Sequence, residues 1–482
     1  MSSDFKPWVE RELYDVNFGD RRLNARFRSI ADRYVKNPSA RIWDLGSTAS
    51  EVKGAYRLFD NDKVLPSKIR EPHEKRTAER ALKHKVVLNI QDSCVLSYYD
   101  RPKTTGLGFH STSHGTKRDT GGVMMHNSYV LSAEGEPLGL INQQIWPRFE
   151  VHRGRSKNQR KASLFKTPFE EKESMKWING MEAARSLIDD SVEIVNIADR
   201  EADIYEFMHQ AGKINSRFIV RAKNERFTLV GNDQLTTISE LFLDTPPEGK
   251  TNVQIVGNSK RKNRNVNLDI RYKNVTLTSP TKYFHSKSEF SEMDDIQITV
   301  VWAHEPVPRT GEKPISWLLL TNRIAPDIRD AVECINLYSK RWMVEIFHKC
   351  LKSGCKAEEC RLEDGKRIIR FLTLASITAH RIMELTYAYR FKPKEPCSEI
   401  LSEAEWKSLW ILCNGNSDYP TDPPEIRQVI NWLARQGGFL WRKNDGDPGT
   451  VVIWKGWMKL AASIEMYKAM KPLSAGNSRV YG

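Results

Sequence analysis

The chain has 482 residues, more than one hydrophobic core of ~250 to 300 residues accommodates, so about three domains are expected. Its 75 Lys and Arg against 61 Asp and Glu leave a net charge of +14, which favours polyanionic partners and puts nucleic acid first. No stretch approaches the ~20 apolar residues of a bilayer span, and the opening MSSDFKPWVERE has no apolar run behind its charges. A membrane-spanning helix is therefore not expected, and a soluble cytoplasmic protein is. Seven cysteines without framework spacing predict reduced thiols. Cys350, Cys355 and Cys360, near His348, stand in a helical context that fits poorly with paired zinc ligands.

Residues 1–70 read as helical and carry Arg21, Arg22, Arg26, Arg28 and Arg33, followed by Lys36, Lys53 and Arg57. Arg22, Arg26 and Arg33 recur at helical spacing, so one helix face offers them to phosphates, with Gly19-Asp20 as the start signal. From residue 86 the pattern turns to strands: Val86 to Ile90, Val123 to Leu131 and Leu138 to Trp146, the last two forming a hairpin across Ala133 to Glu136. A basic loop from Pro147 to Thr167 leads to a helix near Lys172 to Asp189. A fourth strand, Val192 to Ile197, and a helix opening at Asp199 follow, with Glu201 and Asp203 placed to complement its dipole. This order is that of an α/β ribonuclease-H-like core, a mixed five-stranded sheet with flanking helices, spanning about 71–365.

Alternating runs between about 224 and 316 predict an all-β insertion with a basic turn at Lys260 to Arg264. Trp317 to Thr321 reads as a strand returning to the core. A long helix is predicted from Asp327 to Ser353 with Gly354 as its C-cap, and another from Lys366 to Tyr389. Residues 366–476 form a helical C-terminal domain, broken by turns at Pro420 to Glu425 and ending in an amphipathic helix from about Val452 to Met470. The tail 477–482 is expected to be disordered. Trp457, Leu460, Ile464 and Tyr467 form an apolar stripe that suits a monomer core and a dimer contact equally.

Three carboxylates invite a chemical reading. Asp92 follows an apolar strand, where a rigid backbone suits a metal ligand and where turns also favour Asp. Asp199 ends the fourth strand and is equally placed to cap the next helix. Tyr338, Arg341, Glu345 and Lys352 are offset by three, seven and fourteen residues, along one stripe of an α-helix. The same helix would also carry plain Arg341–Glu345 and Glu345–Lys349 ion pairs. Clustered, the three acids would repel unless cations neutralised them, and oxygen ligands select Mg²⁺ or Mn²⁺. Two such ions could drive an in-line phosphoryl transfer.

The spacing of Tyr338, Arg341, Glu345 and Lys352, with two, three and six residues between them, is similar to the YREK signature of the insertion-sequence-four family of bacterial cut-and-paste transposases. Gly19-Asp20-Arg21-Arg22, Gly54-Ala55-Tyr56-Arg57, Asp92, Ala198 to Asp203, Arg217 to Arg221, Trp317 to Thr321 and Trp454 to Trp457 extend the resemblance along most of the chain. It implies that Asp92, Asp199 and Glu345 form a catalytic DDE triad holding two Mg²⁺, with Mn²⁺ able to substitute. It implies that Arg221, Tyr338, Arg341 and Lys352 grip the transposon end and that Trp317 stacks on a flipped base. Arg21, Arg22, Arg26, Lys36, Arg57 and Lys349 are the further expected contacts to double-stranded DNA. The implied partners are inverted element ends and target DNA, met by a homodimer in a paired-end complex. A nuclease of the same fold without strand transfer, or a transposase-derived DNA-binding repressor, are the alternatives.

Overall fold

The computed structural model describes residues 7–98, 103–110, 120–148, 167–231, 234–255, 264–280, 293–443 and 445–476, without the side chains of 109, 110, 120 and 465–476. Most of the basic loop at 147–167, the Lys260 to Asn263 turn, the Tyr467 side chain and the tail 477–482 lie outside the described residues.

The N-terminal helices are Trp8–Glu12 (α1), Arg21–Lys36 (α2), Ala49–Asp60 (α3) and Pro66–Ala81 (α4). Asp20 caps α2 as its sequence predicts, accepting hydrogen bonds from the backbone of Arg22 at 2.8 Å and Leu23 at 3.3 Å, after Gly19 turns the chain at φ +76°. Leu23, Phe27, Ile30 and Tyr34 are buried, which leaves Arg21, Arg22 and Arg26 exposed. Arg33 departs from the predicted phosphate face. Glu51 chelates it at 3.0 Å, and it also donates to the Leu45 carbonyl, so it fastens α2 to α3.

The central strands are Val86–Ser97 (β1), Gly108–His110 (β2), Thr120–Ser132 (β3), Pro137–Trp146 (β4), Glu193–Ala198 (β5) and Arg217–Arg221 (β6). Helix Met175–Leu187 (α5) precedes β5, and Tyr205–Lys213 (α6) joins β5 to β6. β4, β3 and β1 are antiparallel neighbours, and β1, β5 and β6 are parallel. The insertion is all β within the described residues: Phe227–Val230 (β7), Gln234–Thr237 (β8), Gly249–Ile255 (β9), Arg264–Leu277 (β10) and Ile296–His304 (β11). Ser316–Thr321 (β12) returns to the core, as expected, by pairing antiparallel with β6. The insertion does not stand apart from a five-stranded sheet. β12 carries the hydrogen-bond ladder onward, so the described strands form one mixed sheet of 12.

Helical turns run unbroken from Ile328 to Gly354, but their pitch changes. Ile328–Tyr338 (α7) gives way to a 3₁₀ turn at Ser339–Trp342, then to Met343–Lys349 (α8) and a π turn at Cys350–Gly354. Gly354 is not the expected left-handed cap. It lies at the end of the π turn, where a Cβ would stand 3.1 Å from Trp454 and 3.2 Å from Ile382, and the left-handed residue is Lys356 at φ 47°.

The C-terminal helices are Gly365–Phe391 (α9), Glu403–Asn414 (α10), Ile426–Gln436 (α11) and Thr450–Gly476 (α12). Trp457, Leu460 and Ile464 are at most 2% exposed and pack with Leu409, Val429 and Leu433 of the same chain. Their stripe is therefore internal core and not a contact between copies. The N-terminal helices join this layer: the Trp457 indole donates to the Val35 carbonyl at 2.7 Å and the Tyr34 hydroxyl to the Cys355 carbonyl at 2.9 Å. All seven cysteines are free, and no described helix is long and apolar enough to cross a membrane.

Candidate functional site

The parallel register of β1 and β5 sets the site. Ile90 and Ile197 are the last paired residues, and Asp92 and Asp199 each stand two residues beyond them. Pairing between the two strands ends there, and Asp199 is near enough to Asp92 for its charge to raise that carboxyl. Asp92 does not end its strand as expected. β1 runs on to Ser97, still paired with β3, and Asp92 lies mid-strand opposite Asn127. Under it, a buried chain of amides fixes the register: Asn89 donates to Asn196 at 2.8 Å, Asn196 to Ser216 at 2.8 Å, and Gln91 meets His126 at 3.0 Å.

Asp199 accepts from the Glu201 backbone at 2.8 Å and caps a short 3₁₀ turn, and the α-helix begins only at Tyr205. Asp203 is not a dipole-complementing surface acid. It is buried, ion-paired with Arg226 at 2.5 Å, and accepts from the backbone of Lys223 at 2.6 Å and Asn224 at 2.7 Å. The segment after Asp199 is thereby tied to the end of β6.

Helix α8 packs Met343, Val344 and Phe347 inward and leaves Glu345 exposed at the mouth. Arg341, one turn earlier, pairs with Glu345 and stands 3.9 Å from Asp92. Burial raises the Asp92 carboxyl to about 6, with Asp199 and Glu345 adding to the rise and Arg341 opposing it. His348 lies behind, 4.0 Å from Asp92, and burial lowers it to about 3, so it is neutral. Among the described residues no three acids, histidines or cysteines surround one point closely enough to share a cation, because Glu345 is turned onto Arg341.

Beside Arg341 opens a cleft of about 550 Å³. Arg221, Trp317, Tyr338, Arg341, Glu345 and Lys349 all line it, so five of the expected DNA contacts meet the third acid there. Trp317 stands edge-on to Tyr338 at 5.3 Å between centroids, and Arg221 donates to the Ser316 carbonyl at 2.6 Å. The opposite wall is Gln254, Ile255 and Lys313 of the β insertion, which no sequence pattern connected with Glu345.

Lys352 is outside this group. It does not line the cleft, and its ammonium donates to the Val95 carbonyl of β1 at 2.6 Å. Arg21, Arg22, Arg26 and Arg57 are exposed on α2 and α3, where a Cβ on Gly54 would meet Arg26 at 3.2 Å, so the two helices and their cations meet closely. Lys36 is engaged by Asp32 at 2.6 Å. Residues 6–64, which hold these cations, match the transposase DNA-binding family model, and residues 377–476 match the transposase Tn5 dimerisation domain. The two matches support a Tn5-like transposase. With them stand DNA binding by the N-terminal helices and homodimer formation through the C-terminal layer, whose contact surface is then a face other than the buried Trp457–Leu460–Ile464 stripe.

Proposed function

We propose that this protein is a cut-and-paste DNA transposase of the insertion-sequence-four family, a metal-dependent endonuclease and strand transferase with a ribonuclease-H-like core. The observation that carries the reading is the paired placement of Asp92 and Asp199 beyond Ile90 and Ile197, beside Glu345, in a chain whose two ends match transposase domains. The β4-β3-β1-β5-β6 order, antiparallel and then parallel, supports the core assignment.

The donor set suits Mg²⁺, with Mn²⁺ as substitute: three oxygen ligands, one of them a carboxyl that burial and its acidic neighbours raise to about 6. Two bound ions would activate the attacking oxygen and stabilise the leaving one. Without them Arg341 stands between Asp92 and Glu345 and offsets part of their charge. A DNA phosphate in the cleft competes for Arg341 and releases Glu345 towards the two aspartates. Arg221, Lys349 and Tyr338 hold the strand against the reacting phosphate. Water frees a 3′-hydroxyl, which attacks the opposite strand to close a hairpin, and Trp317 stacks the base expelled by that tight turn. After the hairpin is opened, the 3′ end joins target DNA at the same site.

The test is incubation of the purified chain with Mg²⁺ and labelled DNA carrying candidate element ends. Nicked, hairpin and joined products are expected, and Glu345→Ala should abolish all three while end binding persists. Cleavage without joined products would make the protein a nuclease, and cleavage by Glu345→Ala at the parent rate would remove the triad.

A further inference from the structure

A row of buried amides lies behind Asp92 and leads from helix α9 to His348. The Ser376 hydroxyl donates to the Leu372 carbonyl at 2.8 Å, so its oxygen is left to accept. It accepts from the Gln143 amide at 2.8 Å, and the same amide nitrogen donates its other proton to Asn127 Oδ1 at 2.8 Å. With Oδ1 so placed, the Asn127 amide nitrogen faces His348 Nε2 at 3.0 Å and donates to it. A neutral imidazole that accepts at Nε2 carries its proton at Nδ1. Nδ1 is the atom that stands 4.0 Å from the Asp92 carboxylate. The reverse order would turn the Nδ1 lone pair onto that carboxylate, two acceptors facing each other.

We infer that His348 is a positioning residue, held as its Nδ1–H tautomer by Ser376, Gln143 and Asn127, and that the dipole of this N–H, 4.0 Å from Asp92 and so too far for a hydrogen bond, favours the carboxylate orientation that binds a cation. Every member of the row is buried. None sits in the cleft, so their service is to the carboxylate and not to DNA. The role corresponds to the outer partners of metal sites, whose loss weakens metal binding about 10-fold to 100-fold. The inference rests on the reading of Asp92 as a metal ligand.

The tautomer is read first, from two-bond ¹H–¹⁵N correlations of the ¹⁵N-labelled full chain at pH 7 without metal or DNA, with His348→Gln used to assign the signals. A protonated Nδ1 and a bare Nε2 are expected. A protonated Nε2, or averaged signals, overturns the assignment. Side-chain isosteres then separate the two ring nitrogens, because Asn places its amide nitrogen near Nδ1 and Gln places its polar end near Nε2. Manganese titrated calorimetrically into His348→Asn should bind within about 3-fold of the parent, and into His348→Gln at least about 10-fold more weakly. Equal losses in both variants, at matched melting temperatures, overturn the positioning role. If either variant fails to fold, the spectrum of the unaltered chain still decides. Absence of cleavage with the Nδ1–H signal in place would be a failure of the transposase reading, and cleavage with an Nε2–H signal a failure of this one.

Discussion

Asp92 holds a conflict that can be measured. Its native pKa of about 6 lies above the ordinary 3.8, so its share of stability is complete below the ordinary value and lost as pH rises to about 6. At pH 7.5 without divalent cations, Asp92→Asn should therefore raise the melting temperature, by on the order of 2 kcal/mol in stability. A lowered melting temperature would mean that Arg341 more than offsets the burial. Trp317 gives a second residue-scale prediction. Half-buried against Tyr338, it is expected to serve the folded-back strand, so Trp317→Ala should slow hairpin formation about 10-fold while leaving the first nick near the parent rate. Quantifying nick and hairpin on one labelled end checks this, and equal loss at both steps would make Trp317 a packing residue. Residue type and strand pattern nominated Asp92, and the family resemblance nominated Trp317. None of these was enough to tell a mid-strand Asp92 from a strand-ending one, since that depends on whether β3 continues alongside.

Helix α12 illustrates what periodicity can and cannot carry. Apolar residues at offsets of three and seven predict a buried face, and Trp457, Leu460 and Ile464 are buried. Which surface covers them is a matter of chain path, and α10 and α11 of the same chain do so. Leu460→Asp should accordingly give unfolded or insoluble protein, because it buries an unpaired carboxylate. A soluble monomer with native circular dichroism would contradict the internal packing. Gly456 tests the same layer without charge. A Cβ there would lie 1.9 Å from the Leu433 carbonyl oxygen, backbone against backbone, so Gly456→Ala must separate α11 from α12. Destabilisation of about 1–3 kcal/mol in chemical denaturation is expected. The helical run from Ile328 to Gly354 shows the opposite limit: spacing placed Tyr338, Arg341 and Glu345 together, but it did not show that Lys352 reaches the Val95 carbonyl of β1 instead of the cleft.

Across longer distances, one buried acid ties α1 to α4, and α4 is fastened to β4 by Arg80 Nε, which donates to the Leu138 carbonyl at 2.6 Å. Glu12 accepts from the two Nη atoms of Arg80 at 2.9 Å each and meets His73 Nδ1 at 2.5 Å. Burial by itself would raise its carboxyl, but Arg80 and His73 more than offset that and hold it well below the usual range. The sign follows: its stabilisation is present above the ordinary value near 4.5 and is lost as pH falls through the depressed native pKa. Melting temperature and protease resistance of the N-terminal segment should fall on acidification below about pH 4, and Glu12→Gln should flatten that dependence. An unchanged acid profile in Glu12→Gln would place the acid-sensitive group elsewhere. The dimer reading adds a mixing experiment. If each subunit recognises one end and cuts the other, Glu345→Ala combined with Arg22→Ala/Arg26→Ala should recover part of the cleavage that neither shows alone. No recovery from confirmed mixed dimers would rule out that arrangement.

Sequence alone determined the class of elements, the β-rich stretch at 224–316, the return of Trp317 to Thr321 to the sheet and the capped basic helix, and it nominated three acids, because these follow from local periodicity, capping chemistry and residue type. Tertiary structure alone decided that the insertion extends the sheet, that it walls the cleft beside Glu345, that Arg33 and Asp203 are structural ties, and that the α12 stripe faces inward. Those outcomes depend on pairings between residues far apart in the chain, and a pairing partner leaves no mark on the local pattern of the residue it meets.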